Sequence, residues 1–422
     1  MFNINSKYNM RLLNISIRGI SMLSRFLLII VLAKLLTPAD LGIFGLLVAG
    51  IGFAVLFVGF DYYSYSNREI LSVKKEHWVR IIYNQIYAYV PLYLLFIPIA
   101  MVVNYYEFLP DIYFIWFILL MIVEHISIEQ NRLLNTMQKQ LSASIVLFLR
   151  SGMWVLFMLP IIVFFDGFRN LNTVLYAWFI GVSVSIVFGT FVIKKEINNW
   201  SFIKPDYLWI LKGYKIGFLF ILGTIAFKMI STFDRFWLEK ISNSDIVGVY
   251  ILYVSLAAGI IAFIHAGVIV FSTPKIIIAF QNGNLSKFKY LMNKFLKELI
   301  ISILIMVIFI SLLMPFVVDW IDKPIYNDNY NIFYIVLATA SLTIINSHPS
   351  TYLYATKQDK YSFFSTISAF VVFMLAIAIF HFIIYDYSAL YKVSLAVLIS
   401  FIWLVLIKYF GYFYYSKLIL KI

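Results

Sequence analysis

Residues 32–44 read Leu32-Ala-Lys-Leu-Leu-Thr-Pro-Ala-Asp-Leu-Gly-Ile-Phe44, a short polar turn between two long apolar runs. A second stretch, Lys240-Ile-Ser-Asn-Ser-Asp-Ile-Val-Gly248-Val-Tyr250, has the same layout. The lysine, glycine and aromatic positions of the two stretches are 206 residues apart, close to half of the 422-residue chain. Outward from these turns, apolar segments recur at 15–36, 41–63, 81–104, 112–135, 141–165 and 173–193, then at 216–238, 246–271, 290–318, 330–355, 362–385 and 389–415. Each is long enough to cross a bilayer as a helix, which takes about 20 residues. The first turn joins spans 1 and 2, and its copy joins spans 7 and 8. Six helices restore the starting orientation, so the expected fold is an all-α membrane protein of about 12 transmembrane helices. They form two six-helix bundles, residues 1–203 and 204–422, related as parallel repeats about an axis along the membrane normal. The basic connection 194–215, punctuated by Pro205 and Gly213, is the expected linker.

Composition agrees. The chain is 63% hydrophobic and 13% charged, with a mean hydropathy of +0.92. Water would not tolerate that much apolar surface, whereas lipid does when each segment bonds its own backbone polar groups. Segments of about 20 residues without strict alternation are helices, not barrel strands.

The net charge of +13 raises the question of nucleic acid, and the distribution of charge answers it. With the N-terminus cytoplasmic, the even-numbered connections carry Arg68, Lys74, Lys75, Arg80, Arg132, Lys139, Lys194, Lys195, Lys204, Lys212 and Lys215. They also carry Lys275, Lys287, Lys289, Lys294, Lys297, Lys357 and Lys360, and the C-terminus adds Lys408, Lys417 and Lys421. The other side has Lys34, Arg169, Arg235, Lys240, Lys323 and Lys392. This is the positive-inside bias. It sets both termini in the cytoplasm and turns the basic excess into an orientation signal, so no nucleic-acid partner is expected. No cysteine is present, which excludes disulfides and thiolate metal sites. No small-residue cleavage site follows the first apolar run, so that run is read as a transmembrane helix. The aromatic excess, as at Tyr62–Tyr63, Tyr105–Tyr106 and Tyr412–Tyr415, reads mostly as an interfacial belt.

A charge at the bilayer centre costs roughly 2.5–3.5 kcal/mol on insertion scales, so it marks function. Span 1 carries Arg11, Asn14, Arg18, Ser21 and Arg25 on one face. The arginines are seven apart and drift only about 20° per heptad. The stripe climbs about 21 Å at 1.5 Å per residue. Arg11 is an orientation charge and Arg18 could snorkel, but Arg25 is too deep to do so easily. Arg150 and Lys228 are the other deep cations. The deep acids are Glu124 and Glu129, with His125, Glu129 and Arg132 on one helical stripe. Asp61 ends span 2, and Asp234 with Arg235 ends span 7. Arg18, Arg25, Arg150 and Lys228 outnumber Glu124 and Glu129, so a chamber shared by all six would be net positive. Such a chamber suits an anion, and the guanidinium fork suits phosphate in particular. Substrate binding is assigned to the four cations, and ion coupling or charge balance to Glu124, Glu129 and Asp61. His265 and His348 read as hydrogen-bonded structure, and Pro274, Pro315 and Pro349 as kinks or helix ends.

Neither a P-loop, a His-rich metal spacing, a Gly-x-Ser-x-Gly elbow nor a large extramembrane domain is found, so neither an enzyme nor a cofactor is expected. A polytopic membrane enzyme of polysaccharide assembly is the rival from another class. It would need catalytic groups on a sizeable outer loop, and the longest, Val318–Tyr330, offers Asp319, Asp322 and Asp328. Paired six-helix bundles point instead to a transporter whose halves rock to open one side at a time. A purely structural membrane protein would not need deep charges.

Residues 32–44 also resemble the opening signature of the polysaccharide (O-antigen) flippases of the Wzx type, in the multidrug/oligosaccharidyl-lipid/polysaccharide (MOP) exporter superfamily. Gly59-Phe-Asp61 and Arg68-Glu-Ile70 resemble the small-residue end of helix 2 and the downstream motif of that family. Phe233-Asp-Arg235-Phe-Trp-Leu238 and Val247-Gly-Val-Tyr250 match its second half. One departure is length: many members have 14 helices, and this chain has about 12. The resemblance implies a MATE-like fold in the bacterial cytoplasmic (inner) membrane. The implied cargo is an undecaprenyl-pyrophosphate-linked oligosaccharide repeat unit, for O-antigen or another surface polysaccharide. Its diphosphate would lie on Arg18, Arg25, Arg150 and Lys228. Membrane lipid, a polysaccharide polymerase and chain-length machinery are the implied partners. A multidrug exporter of the same superfamily is the alternative; its cationic aromatic cargo would call for an acidic cavity.

Overall fold

The computed structural model describes residues 4–105, 109–197, 203–384 and 386–420. Its helices are α1 Ile4–Leu35, α2 Pro38–Gly59, α3 Tyr63–Ser72, α4 Trp78–Asn104, α5 Asp111–Thr136, α6 Gln140–Phe148, α7 Trp154–Phe164, α8 Leu171–Glu196 and α9 Tyr207–Ile241. They continue with α10 Ser244–Ile264, α11 Val270–Gln281, α12 Leu285–Ile321, α13 Pro324–Asp328, α14 Asn331–Ile345, α15 Ser347–Ala355, α16 Asp359–Phe382 and α17 Ala389–Leu420. No strand occurs among the described residues. Eleven helical rods among them are long and apolar enough to cross a membrane. The expected seventh span, 216–238, lies within α9. Two rods are single spans interrupted by one wide turn: α6 and α7 are joined by a π-helical turn at Leu149–Met153, and α10 and α11 by one at His265–Ile269.

Contacts divide the chain into two units. The first is Met1–Leu36 with Ile43–Ile225; the second is Thr37–Gly42 with Ala226–Ile422. The division falls inside α9, beyond the basic connection at 194–215.

In the first unit, α1 packs along the α6–α7 rod, α5 runs beside α8, and α3 covers α4 and α5. Helix α1 buries Ser21, Ser24, Leu28 and Leu32. The close approach of α1 to the π turn depends on Gly152, where a Cβ would sit 3.1 Å from the Ser21 Cα.

In the second unit, α17 packs on α14, α15 and α16 around Phe373, Ala396, Phe401 and Leu404. The two repeated turns meet here. Thr37 caps α2: its hydroxyl accepts from the Asp40 backbone N–H (3.1 Å) and donates to the Asp40 carboxylate (2.8 Å). Pro38, at the first helical position, gives up an N–H that has no intrahelical partner anyway. Asn243, 206 residues on, caps α10 by accepting from Ile246 N at 3.0 Å. The repeat glycines make reciprocal approaches. A Cβ on Gly42 would strike the Ser244 carbonyl oxygen, and one on Gly248 would strike that of Pro38. Only glycine lets the two turns approach so closely.

Candidate functional site

The α1 stripe is built by helical spacing. Taking Ser21 as the centre of the buried face, Arg18 and Arg25 lie roughly 40–60° to one side at 3.6 residues per turn. The exposed apolar residues Ile20, Leu23 and Leu27 lie roughly 200–260° round in the same sense. Arg18 and Arg25 are themselves exposed. Their exposure therefore flanks the packed face of α1 and is separate from its leucine face. Arg18 Nε donates to Ser144 Oγ at 3.0 Å. Arg25 has no carboxylate within ion-pair distance among the described residues, and Arg150 and Glu124 are its charged neighbours.

Arg150 sits on the π turn, a feature that often re-aims side chains at functional sites. Its Nε lies 3.7 Å from Glu124 Oε2, in a pair whose side chains are 12% and 9% exposed. Glu124 Oε1 also accepts from Trp178 Nε1 at 2.7 Å, and Trp178 stacks on Trp154 with centroids 6.4 Å apart. The Arg150 Nε and Nη1 atoms are buried without a hydrogen bond. Around the α1 stripe, three guanidinium groups (Arg18, Arg25, Arg150) therefore stand against one carboxylate, Glu124.

Glu129 belongs to a separate network. Its Oε1 takes Arg132 Nη1 at 2.5 Å, and its Oε2 accepts from Gln85 at 2.9 Å and Tyr89 at 2.7 Å. The Arg132 guanidinium covers the Tyr63 ring at 3.7 Å. His125 pairs with the Tyr93 hydroxyl at 2.6 Å, off the carboxylate network. Asp61 stands in the connection after α2, in the left-handed region at φ 48°, beside Phe60 at φ 50°. It accepts from Thr224 Oγ1 at 3.4 Å. Burial holds its carboxyl above the ordinary aspartate value, against the opposing pull of Arg132 and of the Thr224 hydroxyl.

Lys228 belongs to the second unit, where Arg235 and Asp234 are its charged neighbours. Asp234 accepts from Tyr250 Oη at 2.8 Å and from the Arg235 N–H at 2.8 Å. His265 is exposed on the second π turn, and His348 is buried against Tyr409 and Tyr412. Lys408, read from sequence as an orientation charge, is 6% exposed and donates to Ser350 Oγ at 3.0 Å. The structure thus joins Arg150 to Glu124, sets Arg25 beside them, and gives Glu129 its own arginine. Gln85, Tyr89, Tyr93 and Trp178 escaped sequence reasoning. They are uncharged residues inside apolar runs, and their only signal is helical spacing opposite a charge.

The family model for "Polysaccharide biosynthesis protein" matches residues 11–271. No curated protein is similar enough to count as a relative. The chain is similar in structure to an inward-facing multidrug resistance MATE family transporter of the MOP superfamily, with a TM-score of 0.75 at 18% identity over 96% of this chain and 98% of the other. It is also similar to a MOP superfamily transporter from Pyrococcus furiosus Vc1, for which reversed polarity of the binding pocket suggests a different function (TM-score 0.60, 17% identity, 96% and 94% covered). An outward-facing MATE family transporter scores 0.56 at 16% identity, with 96% and 94% covered. With a family match across more than half its length and the fold of the MOP-superfamily transporters, the chain belongs to the polysaccharide biosynthesis protein family.

Proposed function

We propose that this protein is a flippase that carries undecaprenyl-pyrophosphate-linked oligosaccharide units across the bacterial cytoplasmic membrane by alternating access. The observation that carries the reading is the cation excess around the α1 stripe. Arg25 is exposed, deep in a span, off the leucine face, and without an ion-paired carboxylate among the described residues. A deep guanidinium left open in this way costs free energy unless an anion or water meets it, and its planar fork fits two phosphate oxygens at once. Arg18 and Arg150 add to the same field, and Glu124 offsets part of it by holding Arg150. Lys228 is assigned to the same cargo from the second half. The protein need make no covalent bond. It lowers the cost of taking a diphosphate and sugar hydroxyls through hydrocarbon.

The working bodies in this reading are the two six-helix halves, 1–203 and 204–422, with both termini cytoplasmic. Glu124 and Glu129, each held by an arginine, balance charge. Asp61, with its raised carboxyl, is the acid best suited to exchange a proton with the cycle. A cationic drug as cargo runs against the sign of the charge around Arg25. The test is glycan export in cells carrying Arg25→Ala at matched protein level. Export is expected to fail, with lipid-linked repeat units accumulating on the cytoplasmic face. Normal surface glycan would overturn the assignment.

A further inference from the structure

Helices α4, α5 and α8 enclose a groove of about 400 Å³, of whose lining the reading above uses Glu129 alone, as a charge balanced by Arg132. One end is closed where Val79 and Ile82 of α4 cluster with Leu133, Ile193 and Ile197. The groove then runs along α4 from Ile82 to Tyr93. Those twelve residues rise about 16 Å, half of a hydrocarbon core about 30 Å thick. Its mouth is set by Ile86, Val90 and Ile126, which are 50%, 48% and 39% exposed on membrane spans, so hydrocarbon is what reaches it.

The polar side chains along the back of the groove use most of their hydrogen bonds on one another; His125 Nε2 and Gln130 Oε1 have no partner among the described residues, but both atoms are buried and out of reach from the groove. Glu129 takes Gln85, Tyr89 and Arg132; His125 takes Tyr93; and Gln130 donates to Thr190 at 2.8 Å. A polar ligand would find few free partners, whereas a chain of methylenes would need none. The volume lies within the range of about 300–1,000 Å³ of small-molecule sites. At the closed end stands Lys194. The neighbouring carboxylate, Glu196, is already taken by Lys75 at 3.0 Å and Lys139 at 2.6 Å, and Lys194 itself is exposed.

We propose that this groove holds one acyl chain of an anionic phospholipid, with the lipid phosphate on Lys194. The length of the groove selects the occupant. It matches a chain that spans one leaflet and is far too short for a polyprenyl chain many isoprene units long. The proposal needs only that the helices lie in a membrane, so it stands apart from the identity of the cargo.

The experiment uses the purified full chain in phosphatidylcholine nanodiscs with a trace of phosphatidylglycerol bearing a photoactivatable diazirine on one acyl chain. After illumination, mass spectrometry is expected to find the label on peptides containing Ile86, Val90 and Ile126. Unlabelled phosphatidylglycerol should compete about fivefold better than phosphatidylcholine, the contribution of one lysine near an anionic lipid. Val90→Trp and, separately, Ile126→Trp should fill the groove and abolish that label, while Lys194→Gln should erase the headgroup preference and leave chain labelling in place. The exposed mouth residue supplies a gentler variant, Ile86→Phe, whose thermal unfolding checks that loss of label is not loss of fold. Unchanged labelling in the filled variants would overturn the proposal, as would equal competition by the two headgroups. Displacement of the probe by polyprenyl phosphate in preference to phosphatidylglycerol would overturn it too, by giving the groove to the carrier chain.

Discussion

Arg25 and Arg18 lie on the same flank of α1, yet they differ in what they hold. Arg18 has the Ser144 hydroxyl, whereas Arg25 has two charged neighbours of opposite sign and no ion pair among the described residues. A charge-assisted contact contributes about 1.5–3 kcal/mol, so Arg25→Ala should slow cargo movement by about 10- to 150-fold in the same terms. Arg25→Lys should recover part of it, because a point charge lacks the fork; the checking measurement is surface glycan per cell at equal protein level. Glu124→Gln should act on stability instead. It leaves the Arg150 guanidinium, 12% exposed, without its counter-charge, and breaking a buried pair costs about 3–5 kcal/mol. Thermal unfolding in detergent reads this as a lower midpoint, and an unchanged midpoint would show that the pair is not holding the bundle.

Asp61 makes stability depend on pH. Its carboxyl is raised by burial, so the folded state binds more protons than the unfolded one. Its stability contribution is therefore fully present below the ordinary aspartate value of 3.8 and is lost as pH rises through the higher folded value. Asp61→Asn should flatten the fall in unfolding midpoint above that pH, and asparagine tolerates the left-handed backbone at φ 48°. A fall as steep as in the parent protein would place the titration elsewhere. The charged members of the site were legible in the sequence because charge in an apolar run is conspicuous. The pairing of Arg150 with Glu124 rather than Glu129 was not. It depends on which way the π turn at Leu149–Met153 rotates the α6–α7 rod, and a single wide turn leaves no clear mark in composition.

At the scale of elements, the repeated turns are the part the sequence announced most clearly. Their caps, Thr37 and Asn243, are the same 206 residues apart as the glycines. Their glycines explain themselves only in three dimensions, where each faces a carbonyl oxygen of the other turn. Overpacking costs about 1–3 kcal/mol, so Gly42→Ala and Gly248→Ala should each lower the unfolding midpoint. Gly19→Ala is the control: nothing lies within 4 Å of a Cβ there, and alanine should gain about 0.5–1 kcal/mol over glycine in a helix. Equal effects at all three positions would mean that the turns do not need their close approach. Apolar periodicity located the spans but not their ends. Helix α9 runs for 35 residues from Tyr207 because residues 207–215 are helical as well, although their mixed polarity reads as linker in the sequence.

At the scale of the molecule, the alternation of basic and sparse connections predicts that reporter fusions at Lys74, Lys204 and Lys289 all read cytoplasmic. One clear external reading would break the orientation on which the cargo's direction of travel depends. The central claim, that the protein moves a lipid-linked oligosaccharide through a cationic site, is tested most directly without the cell. The pure protein is reconstituted into liposomes that carry a polyprenyl-diphosphate-linked oligosaccharide, and the fraction of sugar open to an impermeant reagent outside is followed in time. The account predicts that the parent protein speeds the exchange between leaflets and that Arg25→Ala, inserted to the same level, is about 10- to 150-fold slower than the parent. Exchange no faster than in empty liposomes, or Arg25→Ala as fast as the parent, would contradict it.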